Sequence, residues 1–228
     1  MWWILEPLLY VLLFYFVFNH VLDSGREDYF IFLVVGKIPF LWFSKSIITG
    51  SNSIIENRGI IAQRNISKWL FPMVNCHEAS YKQLVSFFVL FCALFISGYT
   101  PTFSWFQLIP LLALNYLFIC AVALLLSVFV TFASDFKMAI QFIVMGLMFT
   151  SGIFWDVNLI QDSNLKELLM LLNPIASLID SYRQVLMYND VLNIEYMLAV
   201  FAWTTVTGLI GLFLLHYYSN TLTRKLFS

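Results

Sequence analysis

The chain has 228 residues, of which 61% are hydrophobic and 11% charged, against roughly 25% charged residues in an average soluble domain. Twelve basic and thirteen acidic side chains give a formal net charge of −1, and the mean hydropathy is +0.85. A globule of this size cannot bury so much apolar surface, which excludes a soluble protein. A disordered chain and a nucleic-acid binder that relies on positive charge are excluded as well. We therefore predict one membrane domain covering residues 1–228.

Six apolar segments approach the roughly 20 residues that a helix needs to cross the hydrocarbon layer. They cover residues 3–22, 30–49, 81–98, 105–132, 138–155 and 197–217. The first is not a cleavable signal peptide, because no basic residue precedes it and no small-x-small cleavage site follows it. We predict an all-α integral membrane protein with six transmembrane helices and both termini on one side.

The distribution of Lys and Arg predicts which side is cytoplasmic, because cytoplasmic loops carry an excess of these residues. With the amino terminus inside, the inner segments contain seven of them: Arg58, Arg64, Lys68, Lys82, Lys137, Arg224 and Lys225. The outer loops contain three, namely Arg26, Lys166 and Arg183. Both termini are therefore predicted to be cytoplasmic.

The inner connection over residues 51–82 mixes apolar pairs with charged residues. Ile54 and Ile61 are seven residues apart and could share one face of a helix, although the period is imperfect. We predict a short interfacial helix followed by a turn at Phe71-Pro72. A solvated loop is the alternative.

The outer connection over residues 156–195 contains two apolar pieces, 165–172 and 175–187, that meet at Asn173-Pro174. Each piece is too short to cross a membrane, and both are too apolar for water. We predict a re-entrant helical pair that closes the exit, broken where the proline disfavours helical geometry at Asn173. A buried charge is costly, so Arg183 should stay near the headgroups or pair with Asp180. An ordinary outer loop on the membrane surface is the alternative.

No motif for catalysis is visible. Gly36-Lys37 lacks the other residues of a phosphate-binding loop, and no nucleophile elbow occurs. The three cysteines and three histidines are too scattered for a disulfide framework or a metal site. Glu6 is the one acid inside a span, which disfavours coupling to an ion gradient. We predict no metal, no cofactor and no enzymatic activity in this chain, so that a partner supplies the energy for any transport.

Short motifs recur in a characteristic order. The first span opens with Trp3-Ile-Leu-Glu-Pro7, and the others are Gly36, Trp42-Phe43-Ser44, Gly50 to Asn57, Phe71-Pro72, Ser151 to Trp155, Leu172 to Ile175 and Ser181 to Leu186. In this order they resemble the permease subunit of type-2 ABC exporters, over nearly the whole chain. Within that family the chain is most similar to the branch that exports lipid-linked polysaccharides such as O-antigen, capsule and teichoic acid.

The resemblance implies a homodimer of permeases in the bacterial inner membrane, with a separate cytoplasmic ATPase subunit that binds ATP. The inner connection would then hold the coupling helix, and its interface candidates are Glu56, Asn57, Arg58, Arg64, Phe71 and Pro72. Asp135 and Lys137, in the other inner loop, are further candidates. The ordinary role of a positive-inside anchor remains open for Arg58, Arg64 and Lys68. The outer gate would contain Asn173, Pro174, Asp180 and Arg183.

Regularly spaced aromatic residues are candidates for a glycan path, because an aromatic face can stack on the C–H face of a sugar. They are Tyr10, Phe14 and Phe18 in the first span and Phe88, Phe91 and Phe95 in the third. The alternative is that these rings face lipid or neighbouring helices. Lys37 either lines the path or extends its ammonium group toward the membrane surface.

The predicted function is export of a lipid-linked glycan driven by a separate ATPase. A type-2 permease for a drug or a lipid is the first alternative, because the shared motifs do not encode the cargo. A membrane assembly protein without a transport role is the second. Relatives usually begin with a cytoplasmic amphipathic helix, whereas this chain begins almost directly at its first span, so that helix is either absent or lies upstream of the assigned start.

Overall fold

The computed structural model describes residues 28–64 and 66–227, together with Leu5, Leu9, Tyr10, Leu12, Leu13 and Phe16. Most of the first predicted span therefore lies outside the described residues, including Glu6 and the path candidates Phe14 and Phe18. All regular structure in the described part is helical, which confirms the all-α prediction.

From residue 28 onward the chain forms nine α-helices and two 3-10 turns. They are α1 Tyr29–Glu56, α2 Arg58–Gln63, α3 Leu70–Ile96, the turn Phe103–Gln107, α4 Leu108–Phe132, α5 Phe136–Thr150, the turn Val157–Leu159, α6 Ser163–Leu172, α7 Pro174–Leu186, α8 Ile194–Tyr217 and α9 Ser219–Leu226.

Four of these helices, α1, α3, α4 and α8, are long and apolar enough to cross a membrane. Helix α5 is also apolar but has 15 residues, so it is about 22 Å long against a hydrocarbon layer of about 30 Å. The described residues thus contain four membrane-length helices and one shorter apolar helix at the positions of five predicted spans.

Helix α1 is the centre of the bundle and packs against α3, α4, α5 and α7. It is buried over most of its length, whereas α8 buries only Val200, Thr204, Gly211 and Leu215. Gly211 brings α8 close to α4, because a Cβ at this position would lie 2.8 Å from the backbone nitrogen of Leu125. Small residues permit such close approach of membrane helices.

The inner connection is shorter than the sequence predicts. Helix α1 continues to Glu56, and α3 begins at Leu70, well before the predicted start at residue 81. The predicted turn at Phe71-Pro72 was wrong. Pro72 instead lies in the first turn of α3, where a missing N–H breaks no helical hydrogen bond. The short helix predicted in this connection is present as α2.

One end of the bundle is closed by a small apolar cluster. Ile54 at the end of α1 and Ile61 of α2 pack with Val128 of α4 and Leu222 of α9. The ring of Phe132 also meets the ring of Tyr218 edge to face, with centroids 5.4 Å apart. The cluster therefore holds α2, α9 and the ends of α1 and α4 together.

Candidate transport gate and coupling surface

Helices α6 and α7 form the outer hairpin, and Asn173 is its hinge. The Asn173 Oδ1 accepts hydrogen bonds from the backbone nitrogens of Ile175 and Ala176, each at 3.2 Å, and so caps α7. Its Nδ2 donates to Ser151 Oγ at 3.0 Å, just beyond the end of α5. Pro174 occupies the first position of α7, where proline is favoured. The hinge predicted from the sequence is therefore present and is fastened to α5.

Helix α7 is an internal element of the bundle. Every residue from Ile175 to Arg183 is buried against neighbouring helices. Asn115 of α4 donates to the Tyr182 hydroxyl at 3.1 Å, and Ser177 donates to the carbonyl of Met170 at 2.5 Å. Helix α6, by contrast, buries only Met170. The neighbouring helices thus hold α7 much more firmly than α6.

Arg183 lies inside the protein, with 1% of its surface exposed. Its Nη1 donates to the carbonyl of Gly152 at 2.7 Å, and its Nη2 donates to those of Ile153 at 2.9 Å and Phe32 at 3.2 Å. Arg183 thus binds these carbonyl oxygens, whereas the sequence predicted that it pairs with Asp180 or lies near the lipid headgroups. The carbonyl oxygens of Gly152 and Ile153 lie where the chain turns sharply, with a φ of +71° at Gly152, whereas that of Phe32 belongs to α1. The guanidinium thereby joins α7 to α1 and to the turn after α5.

Gly36 provides the space that this arginine occupies. A Cβ on Gly36 would lie 2.7 Å from Nη2 of Arg183 and 3.3 Å from Cγ2 of Ile179. The guanidinium of Arg183 cannot move away from this Cβ without losing its hydrogen bonds to the carbonyl oxygens. Gly36 is therefore needed for the close contact between α1 and α7.

Asp180 is buried one turn before Arg183 but serves a different contact. Its carboxylate accepts hydrogen bonds from Gln184 Nε2 at 2.8 Å and Asn158 Nδ2 at 3.3 Å. Burial raises the pKa of the Asp180 carboxyl, while the nearby positive charge of Arg183 acts in the opposite direction. Lys166 of α6 also donates to Asn158, at 2.9 Å. Asp180 therefore connects α7, through Asn158, to the segment that leads into α6.

An apolar cavity of about 490 Å³ lies under the hinge of the hairpin. Its walls come from α1, α4, α5, α6, α7 and α8 and include Leu168, Leu172, Phe43 and Trp203. The Trp203 indole nitrogen donates to the carbonyl of Leu171 at 2.9 Å, which ties α8 to the end of α6. The cavity leaves space beneath α6 that apolar groups can fill.

The candidates for the glycan path fall into two separate groups. Lys37 is 8% exposed, and its Nζ lies 2.9 Å from Met148 Sδ and 5.6 Å from the centroid of the Tyr10 ring. The other group lies on α3, where Phe88 and Phe95 are exposed and Phe91 is half-buried. The structure therefore brings Lys37 and Tyr10 together and leaves the α3 rings with other neighbours.

The candidates for the ATPase interface collect at the end of the bundle that carries α2. Of these, the exposed residues are Glu56, Arg58, Arg64, Asp135 and Lys137, and the buried or half-buried ones are Asn57, Phe71 and Pro72. The α4–α5 turn joins this end because α4 terminates beside the apolar cluster. Charged side chains on a rigid end of this kind can dock a partner, while the buried residues support them.

Two buried contacts, one at this end and one between α4 and α7, were not predicted from the sequence. Lys68, for which the role of a membrane anchor was left open, is buried and donates to Ser219 Oγ at 3.0 Å. Asn115, a lone amide in an apolar span, is the buried partner of Tyr182. An unpaired polar residue within a span is itself a signal for such a contact, because its amide must be satisfied inside the protein.

The helices and the buried outer hairpin define a multi-pass helical membrane protein. A family model described as ABC-2 type transporter matches residues 1–187, and the chain belongs to this family. Two O-antigen export system permease proteins RfbA of Klebsiella pneumoniae are 27% and 28% identical to it, each over 93% of this chain and 81% of the relative. The protein of the same name from Myxococcus xanthus is 24% identical over 90% of this chain and 79% of its own. The predicted resemblance is confirmed.

Proposed function

We propose that this chain is the transmembrane subunit of an ABC exporter that moves a lipid-linked polysaccharide, such as O-antigen, across the bacterial inner membrane. The observation that carries the proposal is similarity to O-antigen export permeases along nearly the entire chain. In this proposal two permease copies form the path, and a separate cytoplasmic ATPase subunit binds and hydrolyses ATP. Both termini are cytoplasmic.

The outer hairpin is the proposed exit gate. Helix α7 is fixed in the bundle, whereas α6 is largely exposed and lies above the apolar cavity. A rotation about Asn173 would move α6 and would break the hydrogen bonds from Ser177 to Met170 and from Trp203 to Leu171, while the contacts of α7 with α1 and α4 remain. Hinges of this kind absorb the backbone change at a few residues between rigid elements.

Helix α1 is the proposed connection between ATP hydrolysis and the gate. It is one continuous helix of 28 residues, and the part between the candidate ATPase surface at Glu56 and the Arg183 contact at Phe32 is about 36 Å long. A rigid helix transmits a displacement along its length better than a chain of loops does. Movement at Glu56 would therefore reach the segment that holds the gate.

Co-expression with an ABC ATPase subunit from the same organism tests the proposal. The permease alone should show no ATPase activity and should co-purify with that subunit. Glu56→Ala and Arg58→Ala should lower export of the lipid-linked polysaccharide at least about tenfold while hydrolysis continues, because each removes a charged contact. Glu195→Ala, an exposed acid at the start of α8, is the matched control and should export normally. Normal export by both interface variants would refute this docking surface.

Cysteine labelling tests the proposed topology separately. After the three native cysteines are replaced, a cysteine at Arg64 should react only from the cytoplasmic side. A cysteine at Asp162 should react only from outside, since it begins the outer hairpin. Labelling of residue 162 from the cytoplasmic side alone would rule out the six-span topology.

A further inference from the structure

Two carboxylates share one amide donor beside the outer hairpin. The Nδ2 of Asn158 donates to Asp156 Oδ1 at 3.0 Å and to Asp180 Oδ1 at 3.3 Å. Asp156 precedes the turn Val157–Leu159, whereas Asp180 belongs to α7. A single NH2 group therefore lies between acids from two separate segments of the chain.

The two acids differ in how well the protein stabilises their negative charge. Asp156 is half-buried, and its Oδ1 also accepts a hydrogen bond from the backbone nitrogen of Asn158 at 2.9 Å. Asp180 is 3% exposed, and the hydrogen bonds that it accepts within the described residues come from the side-chain amides of Asn158 and Gln184. Since burial disfavours a charged carboxyl and the charge of Asp156 acts in the same direction, Asp180 is the acid of the pair that binds a proton more readily.

Charged groups face Asp180 from several of the elements around it. Arg183 of α7 favours the carboxylate, although backbone carbonyls already hold its guanidinium, and Lys166 of α6 acts in the same direction. Tyr196 is the titratable neighbour on α8. Helix α4 carries no charged residue, and Lys37 of α1 faces α5. Burial outweighs the two cations and raises the pKa of the Asp180 carboxyl above its ordinary value of 3.8.

The shared amide also connects Asp180 to the exposed arm of the hairpin. The Oδ1 of Asn158 accepts a hydrogen bond from Lys166 Nζ at 2.9 Å, so Asn158 joins Asp180 of α7 to α6. The neighbouring Val157 packs with Met170 of α6 in one apolar cluster. Movement of α6 away from α7 would therefore take this turn with it and expose Asp180 to water.

We propose that Asp180 makes the outer gate sensitive to the pH on the outer side of the membrane: a proton on Asp180 favours the closed hairpin, and its loss favours opening. This sensitivity depends on the proposed role of the hairpin as the exit gate. Water stabilises a carboxylate better than the buried site does, so charged Asp180 favours the state in which α6 has moved away. By linkage, the closed hairpin gains stability relative to the open one as the pH falls through the raised pKa of Asp180.

Gln184 can serve both forms of Asp180 without movement of α7. Its Nε2 donates to Asp180 Oδ2 at 2.8 Å, and its buried Oε1 has no partner in the part of the chain that the structure describes. Reversal of the amide group would bring Oε1 to the position of Nε2, where it accepts a hydrogen bond from the protonated carboxyl. The site can therefore take up a proton while α7 remains in place.

Access of a reagent to the space beneath α6 tests the proposal. In the full chain without its native cysteines, purified in detergent, single cysteines at the buried Met170 and the exposed Asn164 react with maleimide over a series of pH values. Cysteine thiols titrate near about pH 8.5, so below neutral pH the ratio of the two rates removes the direct effect of pH on the thiols. We expect the rate at 170 relative to that at 164 to fall about tenfold as the pH falls from neutral toward 3.8, because neutral Asp180 favours the closed hairpin.

Asp180→Asn has the shape of the protonated side chain and no charge, so it should keep this ratio low at every pH. Glu167→Gln, which neutralises an exposed acid of α6, is the matched control and should retain the wild-type dependence. If Asp180→Asn does not fold, Asp156→Asn keeps the test decisive, because loss of the neighbouring charge should move the midpoint of the pH dependence toward 3.8.

A wild-type ratio that does not change with pH would overturn the proposal, and so would an unchanged pH dependence in Asp180→Asn. An absence of labelling at residue 170 at every pH would refute the exit gate itself, and this pH sensitivity with it. Since the measurement involves neither ATP nor export, its outcome is separate from that of the transport assay.

Discussion

The guanidinium of Arg183 lies on the face of the Phe32 ring, with its Cζ 3.4 Å from the ring centroid. The same group donates to the backbone carbonyl of Phe32. One residue of α1 thus satisfies the arginine by a cation–π contact and by a hydrogen bond. Since α7 carries this arginine and α1 reaches the candidate ATPase surface, the contact is the mechanical junction of the proposed transporter.

Arg183→Lys should destabilise the protein although it keeps the charge. A lysine ammonium cannot reproduce the planar arrangement of donors, so at least one buried carbonyl among Gly152, Ile153 and Phe32 loses its partner. We expect a loss of about 1–3 kcal/mol in the free energy of unfolding. Thermal unfolding in detergent measures it. Arg58→Lys, on the exposed α2, should stay within about 0.5 kcal/mol of the wild type, and an equal effect at both sites would contradict the role of Arg183.

Gly36→Ala should disrupt the same junction from the side of α1. The added Cβ would lie 2.7 Å from Nη2 of Arg183, so the guanidinium must leave its carbonyl partners. The expected cost is about 1–3 kcal/mol, as for other insertions into a packed interior. Gly59→Ala is the control, because no atom lies within 4 Å of its added Cβ. An unchanged melting temperature for Gly36→Ala would show that α7 can shift freely.

Impermeant maleimide should distinguish the two arms of the outer hairpin. In a chain without its native cysteines, single cysteines at Asn164 and Glu167 of α6 should react quickly, because both positions are exposed. Cysteines at Met170 and Ile179 should react slowly, because both are buried. The reaction rate at each position is the measurement. Uniformly fast labelling would indicate a solvated loop, and the exit gate would then lie elsewhere.

Because of Lys68, the free energy of unfolding should increase as the pH rises through the alkaline range. Burial lowers the pKa of Lys68 below its ordinary value of 10.5, so the folded state binds this proton less tightly than the unfolded chain does. This costs stability below the folded pKa, and the cost disappears as the pH rises toward the unfolded pKa. The wild type should therefore gain stability relative to Lys68→Gln as the pH rises from the lowered folded pKa toward the ordinary value of 10.5. Unfolding curves of both proteins measure the difference.

Lys137→Gln is the control for this experiment, since Lys137 is exposed. Its stability relative to the wild type should stay constant over the same pH range. A constant difference for Lys68→Gln as well would mean that Lys68 is hydrated in the folded protein.

The sequence predicted the outer hairpin well because its signals are local. Asparagine caps a helix with its own side chain, and proline begins one, so the Asn173-Pro174 hinge could be read from two adjacent residues. The start of α3 could not be read in this way. Its first turns carry Asn75, Glu78 and Lys82, which resemble a loop in hydropathy, although packing on α1 makes them helical.

Composition and apolar segment length determined by themselves that the protein is helical and membrane-embedded, because a bilayer admits few other solutions for this much apolar surface. Only the tertiary structure decided what Arg183 binds. Its carbonyl partners lie 30, 31 and 151 residues away in sequence, and no local pattern specifies which distant carbonyls remain available. Local chemistry selects helices and hinges, whereas the choice of buried partners depends on how the helices come together.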